Sequence, residues 1–187
     1  PAHFYPLLEL KWSILDGLFL PYAGVRGGVE LNTFHQMFEQ NPFVLSNPLL
    51  LNRNNKMEVY GGLNGVISSN MGYELGVNWH QFENQVFFVN DSSASLGNRF
   101  IALYDNMSML RMHGKWMWKA MESLSVEAGV EFYQYQVKNA LYAWNMPNWK
   151  GHLKAQYRLG SQWNIGADVY YIGARKAYSF APVNGQV

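Results

Sequence analysis

The chain has 187 residues, enough for one domain, with 14% charged residues, 16% aromatic residues and a formal net charge of +1. So small a charge argues against nucleic acid as a partner, and the lack of cysteine excludes a disulfide framework or a thiolate metal site. No window holds the ~18 uninterrupted apolar residues of a spanning helix, a test that overlooks barrels because polar lumen residues dilute every strand.

Taken in chain order, the hydrophobic pattern predicts about eight strands and no helix of useful length. Side chains alternate across a strand, so apolar and polar residues of opposite parity mark two faces in different surroundings. The first strand, near 4–14, sets Leu8, Leu10, Trp12 and Ile14 against Glu9, Lys11 and Ser13. The second, near 21–35, sets Ala23, Val25, Val29 and Leu31 against Arg26, Glu30 and Asn32. The third, near 56–67, sets Val59, Leu63 and Ile67 against Glu58, Tyr60 and Asn64. The fourth, near 71–88, begins with Tyr73, Leu75, Val77 and Trp79 against Glu74, Asn78 and His80. Its alternation blurs from Gln81 to Phe88, which predicts a bulge or a strand that outruns a bilayer.

The fifth strand, near 99–120, puts Leu110, Met112, Gly114, Trp116 and Trp118 opposite Arg111, His113, Lys115 and Lys119. The sixth, near 124–136, puts Leu124, Val126, Ala128, Val130 and Phe132 opposite Ser125, Glu127, Glu131 and Tyr133. The clearest strand is the seventh, 149–159. Its odd positions are all apolar or small, and its even positions Lys150, His152, Lys154, Gln156 and Arg158 are all polar. The eighth repeats the pattern from Trp163 to Tyr171.

Connections sort into two kinds. Those around Asp16-Gly17, Ser68–Asn70, Glu122-Ser123 and Gly160-Ser161 are tight, and those at about 37–55, 89–98 and 137–148 are long. Strict alternation of short and long connections is the habit of outer-membrane barrels, with short periplasmic turns and longer outer loops. Six tryptophans near strand ends (Trp12, Trp79, Trp116, Trp118, Trp149 and Trp163) suit the headgroup level of a membrane. The expected fold is therefore all-β: an antiparallel up-and-down meander, part of a transmembrane outer-membrane β-barrel. Pro1 opens no secretory leader and 181–187 reads as loop, so residues 1–187 are expected to be one barrel segment cut at both ends.

Several segments resemble one family, the Bacteroidetes-type TonB-dependent receptor barrels. Leu31–Phe34 running to Asn41-Pro42-Phe43-Val44 is similar to a loop entry of those proteins, and Tyr60–Gly65 is similar to one of their glycine-bearing strands. Phe87–Asp91 and Tyr104-Asp105 match further recurring pieces, and Met146–Trp149 through Gly173–Arg175 looks like a late barrel hairpin. The resemblance implies a parent with a plug, a TonB-contacting segment and a barrel of about 22 strands that imports a scarce ligand. It places the chain in the bacterial outer membrane, against lipid, with the plug and the TonB system as partners through that parent.

The candidate site is the inward polar row. A turn centred on Ser123 would set Lys119 against Glu127 and Lys115 against Glu131. A turn centred on Ser161 would set Lys154 against Asp168 and Arg158 against Asn164. Such cross-strand pairs contribute roughly 0.2–1 kcal/mol each and read as lumen ladders. His80, His113 and His152 share the row but lie on three strands, so convergence on a metal is not expected. No catalytic triad, phosphate loop or carboxylate pair is legible, so neither catalysis nor a cofactor is expected. The apolar loop Asn41–Leu51 is expected to pack rather than bind, and Met107, Met109, Met112 and Met117 form no stripe of one parity. Two rivals stand beside this reading. One is a self-contained eight-stranded barrel serving as anchor or adhesin; the other is a soluble lipocalin-like binder with its apolar faces inside.

Overall fold

Eight strands follow one another in a single antiparallel sheet whose spatial order is their chain order. They are β1 (Leu7–Lys11), β2 (Leu20–Glu30), β3 (Arg53–Ser68), β4 (Met71–Asn90), β5 (Phe100–Met121), β6 (Leu124–Val137), β7 (Trp149–Leu159) and β8 (Trp163–Ile172). The computed structural model describes residues 4–14, 18–91, 93, 99–160 and 162–178. The expected turn at Asp16-Gly17, Ser161, most of the 89–98 connection and the 181–187 tail lie outside the described residues. The meander is as expected. It is not closed: β1 and β8 are its two edges.

Tight connections gather at one end of the sheet. Two residues join β3 to β4 and two join β5 to β6. Gly160, with φ +63°, opens the β7–β8 turn in the left-handed region that glycine enters at no steric cost. The long connections lie at the other end. There β4 and β5 run past their neighbours, and a register shift between Phe82 and Gln85 with Asn84 at φ 56° marks the bulge that the blurred alternation predicts.

Three expectations need correction. The second strand stops at Glu30, and the next segment is helical, α1 (Phe34–Gln40). Thr33 caps it: the Thr33 hydroxyl accepts from the Gln36 N–H at 3.3 Å and the Gln36 side chain accepts from the Thr33 N–H at 3.0 Å. That reciprocal box satisfies two otherwise orphaned donors, which outweighs the strand preference of Val29 and Leu31 upstream. The first strand is shorter than expected, ending at Lys11. The third correction is the β5–β6 register. Its two-residue turn closes on Met121 and Leu124, and Ala120 is skipped, so Lys119 faces Ser125 and Lys115 faces Gly129. Glu127 falls opposite Met117 and Glu131 opposite His113, not opposite Lys119 and Lys115.

The apolar face is open. Leu75 is 53% exposed, Leu153 48% and Val169 63%, a continuous area far larger than scattered surface hydrophobics produce. Register brings Trp116 beside Tyr73 near the tight turns, with Trp118, Tyr157 and Trp163 in the same zone. A second aromatic row, Trp79, Phe132, Trp149 and Tyr171, crosses the same face towards the long connections; Trp149 and Tyr171 stack at 4.4 Å. On β7 the rows are separated by the strand from Trp149 to Tyr157, ~27 Å at the usual rise per residue.

The only fully covered apolar region among the described residues lies at the long-connection end. Met37, Val44, Phe82, Phe87, Val89 and Met107 are buried there. Residues 31–52 reach across to Tyr104, whose hydroxyl donates to the Leu49 carbonyl at 2.6 Å and accepts from the Leu51 N–H at 3.3 Å. Phe43 and Leu45 exchange backbone bonds with Phe100 at 2.9 and 2.8 Å. The apolar loop therefore packs on its own chain, as expected, although Phe43 and Leu49 stay exposed. Residues 138–148 cover the opposite face, placing Ala143, Trp144 and Met146 against Phe82, Phe87 and Met107.

Candidate functional site: the polar face of the sheet

Alternation puts the polar residues of β2 to β8 on one face, and the register decides which meet. Arg26 on β2 lies directly across from Glu58 on β3 and grips it with two bonds of 2.6 and 2.9 Å. This fork-to-carboxylate geometry fixes orientation as well as charge. Asn78 on β4 donates to the same carboxylate at 2.9 Å, and the His80 ring lies 3.9 Å from it. Glu58 is buried by these partners, so four polar groups on three strands form one unit around its carboxylate, with the Asn78 amide oxygen left buried and without a partner.

Further along, each carboxylate again serves two strands. Glu74 on β4 takes Lys115 of β5 at 2.7 Å and His113 at 3.4 Å. Glu131 on β6 accepts from Arg111 of β5 and from the Tyr133 hydroxyl, and Lys150 of β7 sits 5.5 Å above the Tyr133 ring. Glu127 on β6 meets His152 of β7 at 3.1 Å and Lys154 at 4.0 Å. The row from Arg26 to Lys150 thus crosses six strands, with cations on β2, β5 and β7, carboxylates on β3 and β6, and the neutral Asn78 on β4 between them.

Glycines make room for the rings of this face. A Cβ on Gly129 would come within 2.2 Å of the His152 ring, and one on Gly62 within 2.4 Å of the Tyr22 hydroxyl. Gly24 lies under the Tyr60 ring and Gly76 under His113 in the same way. Each ring lies flat across the neighbouring strand where no side chain stands. The face is therefore smooth between its ion pairs.

The structure groups the sequence-predicted residues differently from the expectation. Lys115 belongs with Glu74, Glu131 with Arg111, and Glu127 with His152 and Lys154. Lys154 does lie opposite Asp168, and Arg158 opposite Asn164, as expected. Lys119, Arg158 and Asp168 make no ion pair among the described residues. Arg26, Glu58, Glu74 and Arg111 are members of this row beyond the pairs expected from the turns. Their parity already placed them on this face, and only the register across β2–β5 reveals their partners.

His80, His113 and His152 do not converge: each sits against a different carboxylate. Among the described residues no three His, Asp or Glu side chains are placed to hold a metal ion. What the arrangement does chemically is hold charge in place. Arg26, Arg111, Lys115 and Lys154 are each paired with a carboxylate one strand away, while Lys119, Lys150 and Arg158 have no such partner among the described residues. No protein-family model, no curated protein and no solved structure matches the chain.

Proposed function

We propose that the chain is a barrel-wall segment of a TonB-dependent receptor in the bacterial outer membrane, through which the parent protein takes up a scarce nutrient ligand. One observation carries the wall. The exposed apolar face is bounded by two aromatic rows, and the opposite face is an ion-paired polar row. Lipid would remove the first from water while a wet lumen keeps the second hydrated. Tilted by the usual ~40°, the ~27 Å between the aromatic rows corresponds to a band of ~20 Å across the membrane. Further strands of the same wall would pair with the open edges of β1 and β8.

The receptor, as distinct from the wall, rests on the family resemblance of Asn41–Val44, Tyr60–Gly65 and the β7–β8 hairpin. In that reading the tight turns face the periplasm, and the long connections face outward and meet the ligand. Plug movement driven by the TonB system would open the path, and the wall itself would perform no catalysis. The test is fractionation and uptake with the full-length protein in its own cells. The proposal expects extraction only with detergent from outer membranes, and ligand uptake that stops when TonB is deleted. A protein found in the aqueous fraction would sink the wall; uptake indifferent to TonB would sink the receptor.

A further inference from the structure

Where 138–148 turns in to cover Phe87, it leaves part of β6 without a neighbouring strand among the described residues. The β6–β7 ladder ends at Phe132 and Trp149, followed by one last bond from the Tyr133 N–H to the Asn148 carbonyl at 2.8 Å. That bond shows which way the odd residues of β6 aim their peptide groups: towards β7. The next odd residues, Tyr135 and Val137, aim theirs at the same edge and find no backbone partner there among the described residues. The connection cannot swing back to fill the gap. Asp105 fastens it through the N–H groups of Asn139 and Ala140 at 2.7 and 2.6 Å, and Asn145 donates to the Phe88 carbonyl at 2.7 Å.

Beside this bare edge lies a cavity of about 590 Å³. Its far wall is Leu141, Tyr142, Arg175 and Lys176; its near wall is the edge itself with the stacked pair Tyr133 and Tyr135. Two cations line it and no carboxylate does. Arg175 makes no ion pair among the described residues, while the Lys176 ammonium stands 3.5 Å over the Tyr142 ring. Leu141 is 75% exposed.

We infer that this edge is a binding site for an extended peptide bearing carboxylates, which adds to β6 as a short strand. The backbone donors and acceptors of β6 supply the ladder, and every second side chain of the peptide, a carboxylate, reaches Arg175 and Lys176 on the wall they share with Tyr142 and Leu141. A small organic acid would use the cations alone and leave the ladder groups idle. Assignment of this site to the outer mouth rests on the barrel-wall reading; the site itself rests only on the edge and the cavity.

The test is fluorescence-anisotropy binding of a labelled peptide of alternating valine and glutamate to the full-length protein in detergent. Two altered peptides accompany it, one N-methylated on alternate amides and one with lysine in place of glutamate. Lost ladder bonds or lost charge pairing should each weaken binding by about tenfold or more. The double variant Arg175→Glu, Lys176→Glu should reverse the preference, binding the lysine peptide better than the glutamate peptide. Equal affinity for the N-methylated peptide overturns strand addition, equal affinity for the lysine peptide overturns the role of the cations, and no binding of any peptide overturns the site. Peptide binding by a protein that never enters lipid would overturn the wall and leave the site standing. Lipid insertion without binding would do the reverse.

Discussion

Along β4 the hydrophobic residues change their surroundings without the strand changing course. Between Tyr73 and Trp79, Leu75 is 53% exposed and Val77 45%; beyond the bulge, Phe87 is 1% exposed on the same strand. Every buried apolar side chain among the described residues belongs to the second region, and the aromatic-bounded band has none. The two regions solve burial by different means. The collar at the long-connection end covers both faces of β4 and β5 with its own connections and so carries a core of the kind a water-soluble domain has. The band has paired its polar face but left its apolar face to be covered by something that is not this chain. A sheet this long is stable in water only where the chain itself supplies the second layer.

The difference can be broken from either side. The largest effect expected is at the collar, where Phe87→Ala should cost about 3–5 kcal/mol through the lost apolar contact and the cavity left behind. The measurement is proteolysis of 138–148, which should accelerate while the urea midpoint of the rest of the sheet stays unchanged. Loss of both together would mean that collar and wall are one cooperative unit. Next in size is Leu153→Arg in the middle of the apolar face. It should cost about 2–4 kcal/mol in lipid, read as a lower urea midpoint for the inserted protein. An arginine tolerated there without effect would count against lipid as the cover of this face.

The collar has its own electrostatic fastening. Burial pushes the Asp105 carboxyl up, but the N–H groups of Ala140, Asn139 and Asn106 and the Asn139 amide outweigh it and hold the carboxyl below its ordinary value of 3.8. A lowered value means the charged form stabilises the fold. That contribution is complete above the ordinary aspartate value and fades as the pH falls through the lowered one. A nitroxide on Leu141 should therefore grow mobile in acid. Asp105→Asn should produce the same mobility at neutral pH, at a cost of about 1.5–3 kcal/mol. The smallest effect expected is Gly129→Ala. Its new Cβ would press on the His152 ring, and forcing that ring aside costs about 1–3 kcal/mol, again read as a urea midpoint. A neutral result would show that His152 does not lie across Gly129.

Much of this sheet is legible one strand at a time. Alternation alone assigns Leu153 and Lys154 to opposite faces and locates the end of regular alternation near Phe82. The distinction between tight and long connections also needs no structure. Relations between strands are less accessible. The Met121–Leu124 closing pair and the skipped Ala120 together shift the ladder by two residues from a turn centred on Ser123. Glu131 therefore comes opposite His113 and pairs with Arg111 rather than Lys115, because side chains on a ladder answer to register and a turn of uncertain centre does not fix it. The Arg26–Glu58 grip spans a long connection, which carries even less register information. Thr33 and Gln36 do form a legible cap signature. It follows directly on the alternation of Val29 and Leu31 with Glu30 and Asn32, which reads as a continuing strand, and so α1 is missed. The burial of Phe87 has no local sign at all, since it depends on where 138–148 comes to rest.

The most direct measurement is a nitroxide scan of β7, one cysteine at a time from Trp149 to Leu159, in the full-length protein reconstituted into bilayers. The account predicts oxygen accessibility peaking at Leu153 and Ala155 and access of a polar nickel reagent peaking at Lys154 and Gln156, with a period of two residues. The opposite phase, or equal access of both reagents at every position, would contradict a membrane wall with a polar inner face.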